Sequence, residues 1–133
     1  MAFAQKKTQI KILGADEGTY EEEKYGKAKI LTGNVRFKQG KTLMYCDSAV
    51  LYSTENSMKA FGNIKIIDKD QNTEMTGDSL FFDGNENKGK LRGAINFKNE
   101  NQVLVTQNLD FNTKSNQVHY FGGGTITNNS DHS

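Results

Sequence analysis

The sequence predicts an all-β domain, an elongated antiparallel stack built from two-strand repeats of about 30 residues. Three observations carry that prediction. A short piece of chain recurs, as LTGNVRF at 31–37, AFGNIKI at 60–66, LRGAINF at 91–97 and, more weakly, YFGGGTI at 120–126. Inside each copy apolar and polar residues alternate with period two, the pattern of a half-buried strand. Between the copies lie EEEKYGK, STENS, DGNENKGK and NTKSNQ, rich in the residues that make turns. Nothing in the sequence shows the period of a helix.

Taken in order, the elements fall into two alternating registers. The first is aligned on Gly33, Gly62, Gly93 and Gly122, and the second on Asp16, Asp47, Asp78 and Gln107, in ADEGTY, CDSAVLY, GDSLFF and TQNLDF. Around the glycines one face is apolar: Leu31, Val35 and Phe37; Ala60, Ile64 and Ile66; Leu91, Ile95 and Phe97; then Tyr120, Gly124 and Ile126. The intervening Asn34, Arg36, Asn63, Lys65, Ala94 and Asn96 form a largely polar face. Strands are expected over 31–38, 60–68, 91–98 and 103–112. In the second register the same reasoning places Leu43, Tyr45, Ala49, Leu51, Leu80, Phe82, Val103, Val105, Leu109 and Phe111 on the interior. A glycine repeated inside a strand marks a bulge or bend, so each repeat should turn a corner there. One such unit cannot bury its apolar face alone, whereas stacked copies share an interior between two facing sheets.

Composition narrows the function. Seventeen Lys and Arg balance sixteen Asp and Glu for a net charge of +1, and no basic stripe is visible, which argues against nucleic acid as a partner. Apolar residues are only 35% of the 133, with eight Phe, five Tyr and no Trp or Pro. They come in regular pulses, as they do not in a disordered chain. No apolar run reaches the roughly 20 residues of a membrane-spanning helix. Ala2-Phe3-Ala4 has the A-x-A form of a signal cleavage site before Gln5, and points to export. The expected organisation is a signal remnant or trimmed start at 1–4, one domain at 5–127 and a polar tail at 128–133. Cys46 is the one cysteine, and a small buried thiol is its expected role.

Catalytic chemistry is missing. His119 falls in a strand and His132 in the tail, so no histidine cluster stands ready for a metal. Asp47-Ser48 and Asp78-Ser79 recur as repeat markers without a base beside them, and an Asp satisfying polar groups at a bend is the simpler role. Gly122-Gly123-Gly124 is followed by no helix start, which a phosphate loop requires. The Glu21 to Glu23 run reads as a solvated turn. No enzyme and no cofactor are expected.

The copies LTGNVRF, AFGNIKI and LRGAINF, alternating with CDSAVLY and GDSLFF, resemble the OstA-like family, which includes the lipopolysaccharide-transport protein LptA and the N-terminal domain of LptD. The resemblance runs from about Ile10 to Thr127. It implies a twisted antiparallel β-jellyroll, folded like a taco, with a hydrophobic groove open along one side. It also implies a periplasmic, non-enzymatic carrier, associated with outer-membrane assembly. Lipopolysaccharide would lie with its lipid A acyl chains inside the groove, and other Lpt-type proteins or further copies of the chain would join end to end. Carried onto this sequence, the lipid-facing positions are Leu31, Val35, Phe37, Ile64, Ile66, Leu80, Phe82, Leu91, Ile95, Phe97, Leu109 and Phe111. The chain departs from the pattern where Gln107-Asn108 replaces the Asp marker and where the last copy, FGGGTITNNSDHS, loses its apolar alternation. Two rivals stand beside the carrier. One is a self-assembling structural β-solenoid without a lipid; the other is a carbohydrate-binding jelly roll, for which exposed Trp platforms would be expected.

Overall fold

The computed structural model describes residues 9–23 and 26–128. The signal-like residues 1–4, positions 24–25 of EEEKYGK, and residues 129–133 of the tail with His132 lie outside the described residues. Among the described residues ten strands follow one another: β1 (Lys11–Gly14), β2 (Glu17–Glu23), β3 (Gly26–Gln39), β4 (Thr42–Tyr52), β5 (Ser57–Asp68), β6 (Thr73–Asp83), β7 (Lys88–Lys98), β8 (Gln102–Asn112), β9 (Gln117–Tyr120) and β10 (Gly124–Asn128). Neighbours in sequence pair antiparallel from β3 to β8. Both β1 and β2 lie against β3, and both β9 and β10 against β8. The first and last passes of the chain are thus strands broken in the middle. Glu21 to Glu23 are not a turn: they end β2, opposite Gly26 to Ala28.

Every long strand bends at its middle, and the reason is local. Gly33-Asn34, Gly62-Asn63 and Gly93-Ala94 all have positive φ, between 44° and 85°. In that left-handed region an ordinary side chain meets its own backbone, while Gly pays nothing and Asn little. At each pair the register with the neighbouring strand slips, between Thr32 and Val35, Phe61 and Ile64, and Arg92 and Ile95. Two residues there oppose one, a bulge that re-aims the strand.

The Asp register completes these corners. Asn34 Nδ2 donates to Asp16 Oδ2 at 3.0 Å, and Asn63 Nδ2 to Asp47 Oδ2 at 2.8 Å. A Cβ added to Gly33, Gly62 or Gly93 would stand 2.5–2.7 Å from the carboxylate oxygen of Asp16, Asp47 or Asp78. The two registers seen in sequence are therefore one device, an Asp seated over the next glycine corner.

The interior lies between two arms of a single folded sheet, not between two separate sheets as the sequence suggested. Hydrogen-bonded pairing continues through the bends on both sides of each corner. The first arm carries β1, residues 35–39, 42–46, 64–68, 73–77, 95–98 and 102–106, and β10; the second carries the remaining halves, with β2 and β9. A second correction concerns which side chains face inward. Strands centred on glycine keep their parity across the corner, but those centred on Asp lose one residue there and reverse it. Met44, Cys46, Leu104 and Thr106 are therefore buried, whereas Leu43, Tyr45 and Val103 are half-buried and Val105 is 44% exposed on the other face.

Hairpin turns end both arms in a common way. Asp68, Asp83, Asn99 and Asn112 each accept two backbone N–H bonds through Oδ1, from residues two and three positions on. Asn72, Asn87 and Asn116 close their turns with φ of 55° to 60°. These are the side-chain-supported turns that Asn and Asp favour.

Candidate functional site

The candidate site is the interior between the arms and the mouth where their tips meet. All twelve positions singled out as lipid-facing converge there. Leu31, Val35, Phe37, Ile64, Ile66, Leu80, Phe82, Leu91, Ile95, Leu109 and Phe111 belong to one buried cluster, and Phe97 packs against it partly buried. Phe82 and Phe111 stack with ring centroids 6.2 Å apart. Each fully buried Leu, Ile or Phe contributes about 1.5–3 kcal/mol, so the stripe is in part an ordinary core. Sequence reasoning missed Ala28, Met44, Met58, Met75 and Leu104, which are buried in the same place. Arg36 and Lys65 point to solvent, and Asn96 is half-buried.

Polar side chains govern the mouth, and none of them was singled out in the sequence. At its N-terminal half two bridges cross from arm to arm. Gln39, at the end of β3, donates from Nε2 to the Gly84 carbonyl in the β6–β7 turn at 2.8 Å. The Ile10 N–H donates to Asn56 Oδ1, from the β4–β5 turn, at 2.9 Å. Both side chains are 4% exposed. Asn56 is further tied along the second arm, through its carbonyl to the Gly84 N–H and its Nδ2 to Asn85 Oδ1. A buried amide with its partners in place is stabilising, and costly once a partner is removed.

Toward the C-terminal half the tips part. A cavity of about 250 Å³ opens there between the first-arm turns at 68–73 and 99 and the second-arm turn at 112–118. Ile66, Met75, Phe97 and Phe111 form its apolar floor; Gln71, Thr73, Asn99, Thr113, Asn116 and Gln117 stand around it. Among the described residues lining it Asp68 alone is charged, and its Oδ1 is engaged by the Asp70 and Gln71 N–H groups.

The interior also runs out at the C-terminal end. Val118, Tyr120 and Ile126 are paired with the buried Phe111, Leu109 and Leu104, so they share the inner face, yet they remain 38–49% exposed. Their corner is built differently from the others. Gly122 and Gly123 take φ of 78° and 97°, Asn108 Nδ2 donates to the Phe121 carbonyl, and Thr106 Oγ1 donates to the Gly123 carbonyl at 2.7 Å. On the outside Arg92 bonds Asp110 at 2.9 Å and sits over the Phe121 ring, which holds this segment against the sheet.

Cys46 lies inside, and burial, then the neighbouring Asp47, pushes its thiol up to about 12. A thiol that stays protonated is a poor nucleophile.

Comparison with known proteins follows the same outline. A family model described as OstA-like protein matches residues 7–132. No curated protein matches the chain in sequence. In fold, the chain is similar to the crystal structure of LptH, the LptA-homologous periplasmic component of the lipopolysaccharide transport device of Pseudomonas aeruginosa. The TM-score is 0.75 at 15% identity, covering 89% of this chain and 93% of that one.

Proposed function

The chain belongs to the OstA-like family, and from that premise we propose that it is a non-enzymatic periplasmic carrier of lipopolysaccharide, holding acyl chains between its two arms. The observation that supports this best is the continuous apolar stripe from Leu31 to Phe111, which reaches a cavity at the mouth through Ile66, Phe97 and Phe111. Each methylene taken from water contributes about 0.8 kcal/mol, so one partly inserted chain provides substantial affinity. Carriage requires no convergent catalytic groups, only an apolar interior and a wet exterior. The C-terminal end suits assembly into a longer path: among the described residues β9 and β10 pair only with β8, beside inner-face side chains that are still exposed, and an open edge is a template for another chain. End-to-end partners would be further copies of this chain or other Lpt-type proteins.

One observation favours the second reading, a structural solenoid without a lipid. Val35, Phe37, Leu91, Ile95 and Leu109 are wholly buried against one another, so the arms must separate before a ligand replaces those contacts. A photo-crosslinker at Ile95 or Phe37, compared with one at Asn96 or Arg36, decides between the two. Carriage predicts capture of lipopolysaccharide at the inward positions and little at the outward ones. Equal capture on both faces, in a folded protein, would put the solenoid first.

A further inference from the structure

The two halves of the mouth differ in a way that carriage alone does not require. The N-terminal half is drawn shut by Gln39 on Gly84 and Asn56 on Ile10, and these amides are buried rather than solvated. The C-terminal half holds the cavity, floored by Phe97 and Phe111 and continuous through them with the interior. Its volume of about 250 Å³ is below the roughly 300–1,000 Å³ of sites that enclose a whole small molecule. What fits such a space is a chain.

The rim says which part of a lipid stops there. Gln71 and Asn99 face it from the first arm, Asn116 and Gln117 from the second; all four carry uncharged amides, with Asn99 presenting only its Nδ2 donor because its Oδ1 is taken by the Asn101 and Gln102 N–H groups. The single carboxylate, Asp68, disfavours a phosphate or a free fatty acid head at this point. An uncharged acyl linkage, an amide or ester with a nearby hydroxyl, matches such a rim.

We propose that this cavity is the lateral entry for a single acyl chain, which inserts tail first over Phe97 and Phe111 while its amide or ester linkage stays at the neutral rim. The clasped half of the mouth stays closed during entry. This proposal rests on the carrier reading above and adds where the ligand comes in and which of its groups is read.

The test uses the full chain and a glucosamine bearing one slender fluorescent polyene acyl chain in amide linkage. Gln117→Cys at the rim and Thr54→Cys on the clasped half place exposed thiols at tips of the same arm. Each is labelled with a bulky maleimide; Cys46 stays unlabelled because it is buried and protonated. The association rate of this probe should fall about tenfold or more on labelling at 117 and stay unchanged on labelling at 54. Gln71→Cys, on the opposite lip, repeats the measurement should the first variant fold poorly. Equal rates for rim-labelled and clasp-labelled protein, with binding intact, overturn the entry site and leave the carrier reading standing. No binding of the probe by unlabelled protein overturns both.

Discussion

The N-terminal and C-terminal halves of the molecule are made of the same repeat, yet one closes and the other does not. In the first half the corners at Gly33 and Gly62 each carry an Asp bonded to an Asn, and the tips at Gln39 and Asn56 are joined across the mouth to Gly84 and Ile10. In the second, Ala94 takes the place of the corner Asn and Gln107-Asn108 the place of the Asp, while the tips at 99 and 112–118, with the mid-chain tip at 68–73, stand apart around a cavity. The fold itself survives the exchange. The two halves thus differ in the polar residues at their corners and tips while sharing one apolar stripe.

The largest expected contrast lies between corners. Gly62→Val puts a β-branched residue at φ +81° with its Cβ 2.7 Å from Asp47 Oδ2. The backbone penalty of roughly 1–2 kcal/mol is joined by loss of the Asn63–Asp47 bond, for about 3 kcal/mol in all. Gly123→Val meets nothing within 4 Å at φ +97°, and only the backbone penalty of roughly 1–2 kcal/mol remains. Urea midpoints at constant m-value report the difference. Equal losses would mean that the Asp seat does not distinguish the corners.

The next contrast isolates the clasp. Asn56 and Asn116 occupy equivalent turn positions at φ 51° and 60°, so Ala costs both the same left-handed strain. Only Asn56→Ala also strips the buried Ile10 N–H of its acceptor, and it should therefore lose about 1–3 kcal/mol more than Asn116→Ala. Amide exchange at Ile10 should quicken in the first variant and hold in the second. Unchanged exchange in both would remove the clasp from the account of the mouth.

How much of this was readable beforehand depended on whether the two faces of a strand differ in polarity. In β3 they do: Leu31, Val35 and Phe37 alternate with Thr32, Asn34 and Arg36, and the reading of that strand holds residue by residue. In β4 and β8 they do not. Leu43 and Tyr45 are as apolar as Met44 and Cys46, and Val103 and Val105 as Leu104, so the parity reversal at the Asp bulge left no trace in composition. The continuity of one sheet through its corners is likewise invisible, because period two is the same whether a ladder bends or ends. Gln39 and Asn56 sit in turn-like sequence and look solvated; their burial comes from the opposite arm, more than forty positions away in the chain. The twelve interior positions were legible for the plain reason that apolar residues there have no competing face. What occupies the space between them is a question of whether the arms open, which no pattern encodes.

The smallest effect tests whether the third corner, at the boundary of the two halves, lacks only its Asn. Ala94 holds φ 44°, a conformation that costs an L residue other than Gly or Asn roughly 1–2 kcal/mol. Its backbone N–H already donates to Gln107 Oε1 at 3.1 Å, and Asp78 stands over Gly93 as Asp47 stands over Gly62. In Ala94→Asn the new Nδ2 would meet the Asp78 carboxylate in the geometry of the Asn34–Asp16 and Asn63–Asp47 bonds, while the Gln107 bond is untouched. Relief of part of the backbone strain and one exposed bond together should stabilise the protein by about 1 kcal/mol. The matched reversal, Asn63→Ala, should destabilise it by a similar amount. Urea melts of the two variants and of Ala94→Asn with Asp78→Ala complete the test. If the gain at 94 persists without Asp78, only the backbone preference of Asn is at work. Its disappearance would show that the Asp–Asn seat is the stabilising unit and that the second half of the molecule is missing one copy of it.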